Sequence, residues 1–330
     1  MHRVTLFLLA TALTALGSLS GCTTNAATGR TQFAAYSRAD EIALGTSAMP
    51  SMVAEYGGAV SSAPLRAYVS DIGNRLAAKT EADNPTLPWE FTLLDSAEIN
   101  AFAMPGGKVF VARGLVEKMT NEAQLAGVIG HEIGHVTARH ISEQIGKQTG
   151  VQIGAAVLGA AVTAAAGERH PETGAAAGVA IAVGGQLVTL KFSRDQETEA
   201  DHLGLRYMSR LNYNPAAMDQ VMAILEEAMG SGRQPELLAT HPDPASRRVN
   251  IAREVRTTYA STQNNPKFVL NEERFRTQFL NPLKALPPAR AQRPGLDITP
   301  AYPRAFALNQ PATWCAHCAG AEQAGQHGTN

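Results

Sequence analysis

The stretch His131-Glu-Ile-Gly-His-Val-Thr-Ala-Arg-His140, HEIGHVTARH, decides how this chain is read. On an α-helix, residues four apart sit one turn apart on the same face, so His131 and His135 converge on one point. Neutral imidazole nitrogens suit a zinc ion there. Glu132 lies about 100° around the helix from His131, close enough to take a proton from a water beside the ion without ligating it. The neighbouring residues Leu125, Val128, Ile129, Ile133 and Val136 are apolar, which marks an interior helix and argues against two stray surface histidines. Gly130 and Gly134 also stand inside it, each costing about 1 kcal/mol of helix stability relative to alanine. Close packing or function has to explain them.

A catalytic zinc usually takes three protein ligands. In one large group of zinc proteases the third is a histidine six residues after the second, and here Ile141 holds that position. His140 is one residue early. On a continued helix it is turned about 140° away from His135, so it is expected to pair with a polar neighbour or to be partly exposed. A carboxylate on another helix is the remaining option. Ser193 to Arg210 reads as that helix, with Ser193 and Gln196 in a capping-box pattern. Glu197 and Asp201 share a face with Gly204, Leu205 and Met208, whereas Glu199 points roughly 160° away, on the side of Arg206. Glu197 is therefore the candidate third ligand. Asp201, one turn on, can accept a hydrogen bond from a ligating histidine.

Working outward, Tyr36–Tyr56 and Leu65–Lys79 carry helical spacing, and Trp89–Leu94 alternates as a strand. Ala101–Met104 and Lys108–Val111 flank the turn Pro105-Gly-Gly107 as two short strands. Asn121 can cap the motif helix from Glu122. Ala216–Met229 reads as a further helix. The pattern predicts an α+β domain, mainly helical, with a small antiparallel sheet and an active-site HExxH helix, over residues 36–260. Between the two chemical helices, residues 148–190 form an Ala/Gly-rich stretch, uncharged except for Glu168–Glu172. Having few Leu or Phe, it is read as a helical hairpin packed on the domain or lying at a membrane surface, ahead of a spanning hairpin.

Residues 1–21 have a basic start, an uncharged apolar run and a small-residue ending, the three parts of a secretory signal. Leu19-Ser-Gly-Cys22 resembles a bacterial lipobox, with Cys22 as the lipidated residue and 22–35 as a tether. Thr23, where an Asp resembles an inner-membrane retention signal, points to the outer membrane. Beyond residue 260, seven prolines from Pro282 to Pro311 predict an extended, partly disordered tail, in which Cys315-Ala-His-Cys318 is a peripheral pair with no catalytic role. The formal net charge of −1 and a pI near 6.8 give no electrostatic case for nucleic acid.

His131-Glu-x-x-His135 followed by Glu197-x-x-x-Asp201 resembles metallopeptidase family forty-eight, the HtpX and CaaX prenyl protease type of gluzincin. Asn100–Val111 resembles the strand segment ahead of its active-site helix, and Thr240-His-Pro-Asp-Pro-Ala-Ser-Arg247 its later His-Pro element. Together the matches run from about residue 36 to 255, nearest to the family's periplasmic lipoprotein branch. The resemblance implies one Zn2+ per chain and a site role for His241, stabilising the oxyanion or plugging the metal as a fourth ligand. It also implies that Arg247 orients an active-site acid. The reading is a zinc metalloendopeptidase tethered by lipid in the periplasm of a Gram-negative bacterium, cleaving misfolded or misassembled envelope proteins aligned along the Lys108–Val111 strand. The alternative is a chaperone-like outer-membrane assembly factor with a latent, plugged protease site.

Overall fold

The computed structural model describes residues 22–33, 36–81, 87–147, 191–230 and 235–290. The signal at 1–21, the Ala/Gly-rich stretch at 148–190 and the Cys315/Cys318 pair lie outside the described residues. The elements are β1 Cys22–Thr24, β2 Thr31–Phe33, α1 Arg38–Glu55, α2 Ala63–Ala77, β3 Glu90–Leu94, β4 Ala101–Met104, β5 Lys108–Ala112, α3 Arg113–Val116 and α4 Glu122–Thr137. After the undescribed stretch come α5 Arg194–Arg210, α6 Ala216–Gly230, α7 Leu237–Thr240 and α8 Pro244–Thr257.

The class is α+β and mainly helical, but the sheet is mixed where an antiparallel one was expected. Its order is β3-β5-β4, with β3 parallel and β4 antiparallel to β5. β5, placed in the centre, is paired on both sides and buried along its whole length. The expected alignment of a peptide along Lys108–Val111 therefore has no free edge to use. Among the described residues, no strand pairs with the outer edge of β4.

Helix α4 is buried at every position and lies in the middle of the molecule, against α5, α6, α2 and β4. Asn121 caps its start by accepting from the Gln124 N–H at 3.0 Å. The capping box of α5 is also formed, with Gln196 N–H donating to Ser193 Oγ and Ser193 N–H to Gln196 Oε1. What the two helices share is a backbone contact. A Cβ on Gly134 would stand 2.9 Å from Ala200 O, one on Gly130 3.3 Å from Gly204 O, and one on Gly204 3.0 Å from His131 N. The glycines that weaken these helices locally are the ones that let them meet.

Both ends of the described chain pack more firmly than their composition suggests. Phe275, Phe279 and Leu283 are fully buried in the main core, and Phe279 stacks on Tyr68 at 4.8 Å. The domain thus runs on past residue 260 to about Arg290, because helical segments Glu272–Phe275, Arg276–Leu280 and Asn281–Lys284 put apolar residues on one face before the prolines take over. In this segment Asn271 Nδ2 and Arg274 Nη1 donate to the buried Glu122 carboxylate at the start of α4. At the other end, the β1–β2 hairpin belongs to the domain as well: Ala27 is buried, and Asn25 Nδ2 donates to Thr137 O at 2.9 Å. It satisfies one of the last carbonyls of α4, which has no partner within the helix.

Replacing Gly134 by Ala gains about 1 kcal/mol of helix propensity but drives a methyl into the Ala200 backbone, an overpacking cost of about 1–3 kcal/mol. Chemical denaturation of Gly134→Ala is expected to show a net loss of stability. Gly230→Ala, where a Cβ meets open space, is expected to be neutral or stabilising. A Gly134→Ala protein as stable as Gly230→Ala would contradict the close contact.

Candidate metal centre

His131 and His135 point from α4 toward Glu197 on α5, and His241, the residue that ends α7, closes the group from the far side. Nε2 of His131 and of His135 are 3.0 Å apart. His241 Nδ1 is 3.3 Å from His131 Nε2 and 3.0 Å from Glu197 Oε1. Glu197 Oε1 is 3.5 Å from His135 Nε2. One donor atom from each of the four residues lies within 4.8 Å of all the others, and all four side chains are buried.

These distances suit a metal better than a hydrogen-bond network. Two imidazole Nε2 atoms facing each other can share at most one proton, and Glu197 Oε2 and His241 Nε2 have no hydrogen-bond partner among the described residues. Arg247 Nη1 stands 2.7 Å from that Oε2 as an ion pair without hydrogen-bond alignment. In a tetrahedral zinc site with bonds of 2.0–2.1 Å, donor atoms sit about 3.3 Å apart. Burial pushes His135 well below its usual pKa and keeps it neutral, as a ligand must be. Burial works against the Glu197 carboxylate, yet His241 and Arg247 beside it hold it ionised, well below the usual carboxylate range.

The outer contacts are specific. His131 Nδ1 lies 2.9 Å from Asp201 Oδ1. Arg247, the residue on α8 that faces this point, takes Asp201 in a two-pronged bond, Nε to Oδ2 at 2.9 Å and Nη2 to Oδ1 at 2.7 Å. Phe192 covers the other side, its ring 4.0 Å from that of His135. Glu132 stays outside the ring of donors. Its Oε1 lies 3.8 Å from His241 Nε2 and has no hydrogen-bond partner among the described residues. Burial raises its carboxyl pKa, opposed by the nearby His241 and His131. A buried carboxyl with a raised pKa beside such a donor group has the character of a proton acceptor.

Every residue singled out from the two helices and the His-Pro element is brought to this place. Two expectations for their neighbours change in part. His140 does pair with a polar neighbour, Glu199, but it is fully buried and also meets His135, from which it was expected to be turned away. Helix α4 stops at Thr137, and Arg139 adopts the left-handed conformation (φ 60°), so the chain turns and a new helical run begins at His140. The helical wheel does not continue across that break, and the 140° phase with it. Arginine is not a residue that announces such a turn. Glu199, placed near Arg206, instead receives Arg30 from the N-terminal hairpin at 3.1 Å; Arg206 bonds Ala27 O, Glu81 and His202.

Comparison with known proteins agrees with this geometry. Residues 64–255, more than half of the chain, match the family described as Peptidase family M48. The beta-barrel assembly-enhancing protease of Escherichia coli (strain K12) is 33% identical over 184 residues, covering 56% of this chain and 37% of that protein. Mitochondrial metalloendopeptidase OMA1 of Schizosaccharomyces pombe is 30% identical over 207 residues, covering 59% and 55%. The Danio rerio OMA1 metalloendopeptidase is 31% identical over 232 residues, covering 67% and 47%. The chain thus spans between about a third and about half of the length of these relatives.

Among the described residues, Arg247 is the arginine that pairs with the buried carboxylates Glu197 and Asp201. Arg247→Ala is expected to destabilise the metal-free protein by about 3–5 kcal/mol, the usual cost of leaving a buried charge unpaired. Zinc should restore part of this, since a cation returns to the same carboxylates. Denaturant unfolding with chelator and with zinc measures both; no destabilisation without metal would contradict the pairing.

Proposed function

The chain belongs to peptidase family M48, and from that premise we propose that it is a zinc metalloendopeptidase of the bacterial envelope. His131, His135 and Glu197 hold the zinc and Glu132 is the general base. The observation that carries this reading is the convergence of buried donors from α4, α5 and the end of α7, with an unpaired carboxylate just outside them. Bound zinc supplies Lewis acidity, polarising a peptide carbonyl and acidifying a water. The rest falls to the protein. Glu132 takes a proton from water and returns it to the leaving amine. Asp201, braced by Arg247, holds His131 with its Nε2 toward the metal.

For substrate, the outer edge of β4 beside α4, which pairs with no strand among the described residues, suits an extended peptide paired by its backbone. Next to Glu132 and His241 lies an apolar recess lined by Val128, Met218, Val221, Met222, Leu225 and Leu237. It suits one apolar side chain. A site that reads backbone and one apolar residue fits unfolded chains better than a single folded partner. The lipobox-like Leu19–Cys22 and the likeness to a beta-barrel assembly-enhancing protease support misfolded or misassembled envelope proteins as substrates. They also support a lipid anchor at Cys22, on the periplasmic face of the outer membrane. No helix among the described residues is long and apolar enough to cross a membrane.

The second reading, a latent site with a chaperone-like role, draws on His241. Its Nδ1 is as close to Glu197 and His131 as the other donors are to one another. From that position it would be a fourth donor to a bound metal and would stand where water and substrate have to enter, so on this reading His241 is a plug that substrate would displace.

Two variants test the proposal on the full chain with casein as substrate. Glu132→Gln should keep one zinc per chain while cleavage falls by at least about 100-fold; full residual activity would sink the mechanism. His241→Ala should cleave several-fold faster than the parent. A slower His241→Ala enzyme assigns His241 to stabilising the oxyanion and overturns the plug.

A further inference from the structure

The two histidines on α4 are supported from behind in different ways. His131 sends Nε2 to the donor ring and Nδ1 straight to the Asp201 carboxylate. His135 also sends Nε2 to the ring, but its Nδ1 faces another histidine, His140 Nδ1, at 3.0 Å. The far nitrogen of that ring, His140 Nε2, lies 2.8 Å from Glu199 Oε2. Both rings are completely buried, so their contact with each other is shielded from solvent.

The proton positions follow from the chemistry of the rings. An imidazole that gives its Nε2 lone pair to a cation carries its proton on Nδ1. The His135 proton then needs an acceptor, and His140 Nδ1 is the atom within reach. A ring accepting at Nδ1 holds its own proton on Nε2, where the Glu199 carboxylate accepts it. The reverse order fails at both ends: it sets a lone pair of His140 against a carboxylate oxygen at 2.8 Å and a proton of His135 into the donor ring.

We propose that Glu199, His140 and His135 form a relay in which the carboxylate fixes the tautomer of His140, and His140 fixes that of His135 and aims it at the metal. His140 is thus a positioning residue, acting through a ligand. The inference rests on the reading of His135 as a zinc ligand and extends it two residues outward. The relay is braced at each joint. Arg30 from the β1–β2 hairpin bonds Glu199 and Glu143, both at 3.1 Å. Glu41 on α1 holds the corner that carries His140, accepting from Arg139 Nε at 2.9 Å and from the Ser142 hydroxyl. The left-handed turn at Arg139 brings His140 back under His135.

The test compares the full chain with His140→Leu, His140→Asn and Glu199→Leu, whose side chain has no acceptor for His140 Nε2. It measures zinc affinity by chelator competition, the visible spectrum of the cobalt-substituted protein, and the melting temperature of the metal-free form. His140→Leu should weaken zinc about 10- to 100-fold and shift the cobalt spectrum. His140→Asn, which returns an acceptor oxygen near the place of Nδ1, should recover affinity to within a few-fold of the parent. Glu199→Leu should weaken zinc by about tenfold while the metal-free protein still unfolds cooperatively, its melting temperature lowered only by the loss of the Arg30 pair. Parental affinity and spectrum in Glu199→Leu overturn the relay, and so does a His140→Asn protein as weak as His140→Leu. If His140→Leu does not fold, Glu199→Leu decides alone, because the Glu199 side chain is partly exposed. A parent chain that binds no zinc would instead overturn the reading beneath it.

Discussion

The structure depends on how closely α4 and α5 approach. Helices packed through ordinary side chains keep their axes about 8–10 Å apart. Here Gly130, Gly134 and Gly204 remove the side chains from the seam, and the backbone of one helix rests on that of the other. Only short-reaching groups then bridge the two. Glu197 meets His131 and His135 one turn from the tightest point, and Asp201 reaches behind His131 from the next turn. Separating the helices by one methyl would move Glu197 and Asp201 together away from the histidines they face. The rest of the domain maintains this seam: the sheet and α2 lie under α4, the segment after residue 270 grips its start, and the N-terminal hairpin grips its end.

Charge is the second constraint. Glu132, Glu197 and Asp201 are buried within one small volume with a single guanidinium, Arg247, among them. An excess of negative charge in a dry interior is unfavourable unless a cation joins it. Arg247 is spent on Asp201 and Glu197, which leaves Glu132 without an ionic partner nearer than the 3.8 Å of His241. The site is thus built with a deficit that a divalent cation corrects, and Glu132 is the carboxylate that Arg247 does not reach by an ion pair.

Much of this was legible in the sequence because it follows helical periodicity. The i, i+4 pairs His131/His135 and Glu197/Asp201, the caps Asn121 and Ser193, and the interior glycines each obey a local rule. What could not be read involves breaks in periodicity or contacts set by the whole fold. His140 was out of phase only as long as α4 continued. The central place of β5 depends on a parallel pairing with β3 that no local pattern encodes. Phe275, Phe279 and Leu283 were masked by the prolines around them, and Arg30 gained its partners from a hairpin that composition alone presented as a tether. His241 ends a one-turn helix, and Arg247 is a charged residue on the buried face of α8 with Ile251 and Val255; resemblance drew attention to both.

The donor groups that α4 and α5 bring together, His135 and Glu197, are separated by roughly sixty residues of chain. An ion held by both helices therefore acts on the polymer as a crosslink acts, closing a long loop. In the chain-entropy picture a covalent link across such a loop restricts the unfolded ensemble by roughly 4 kcal/mol, and a reversible one contributes while the metal is present. The dependence on loop length is shallow, about 0.6 kcal/mol for each doubling. Such a crosslink would therefore depend little on how far apart along the chain its two halves lie. Its strength is set where the chain comes together again, at the glycine seam, and an ion bound there would tie metal content to the stability of the whole domain.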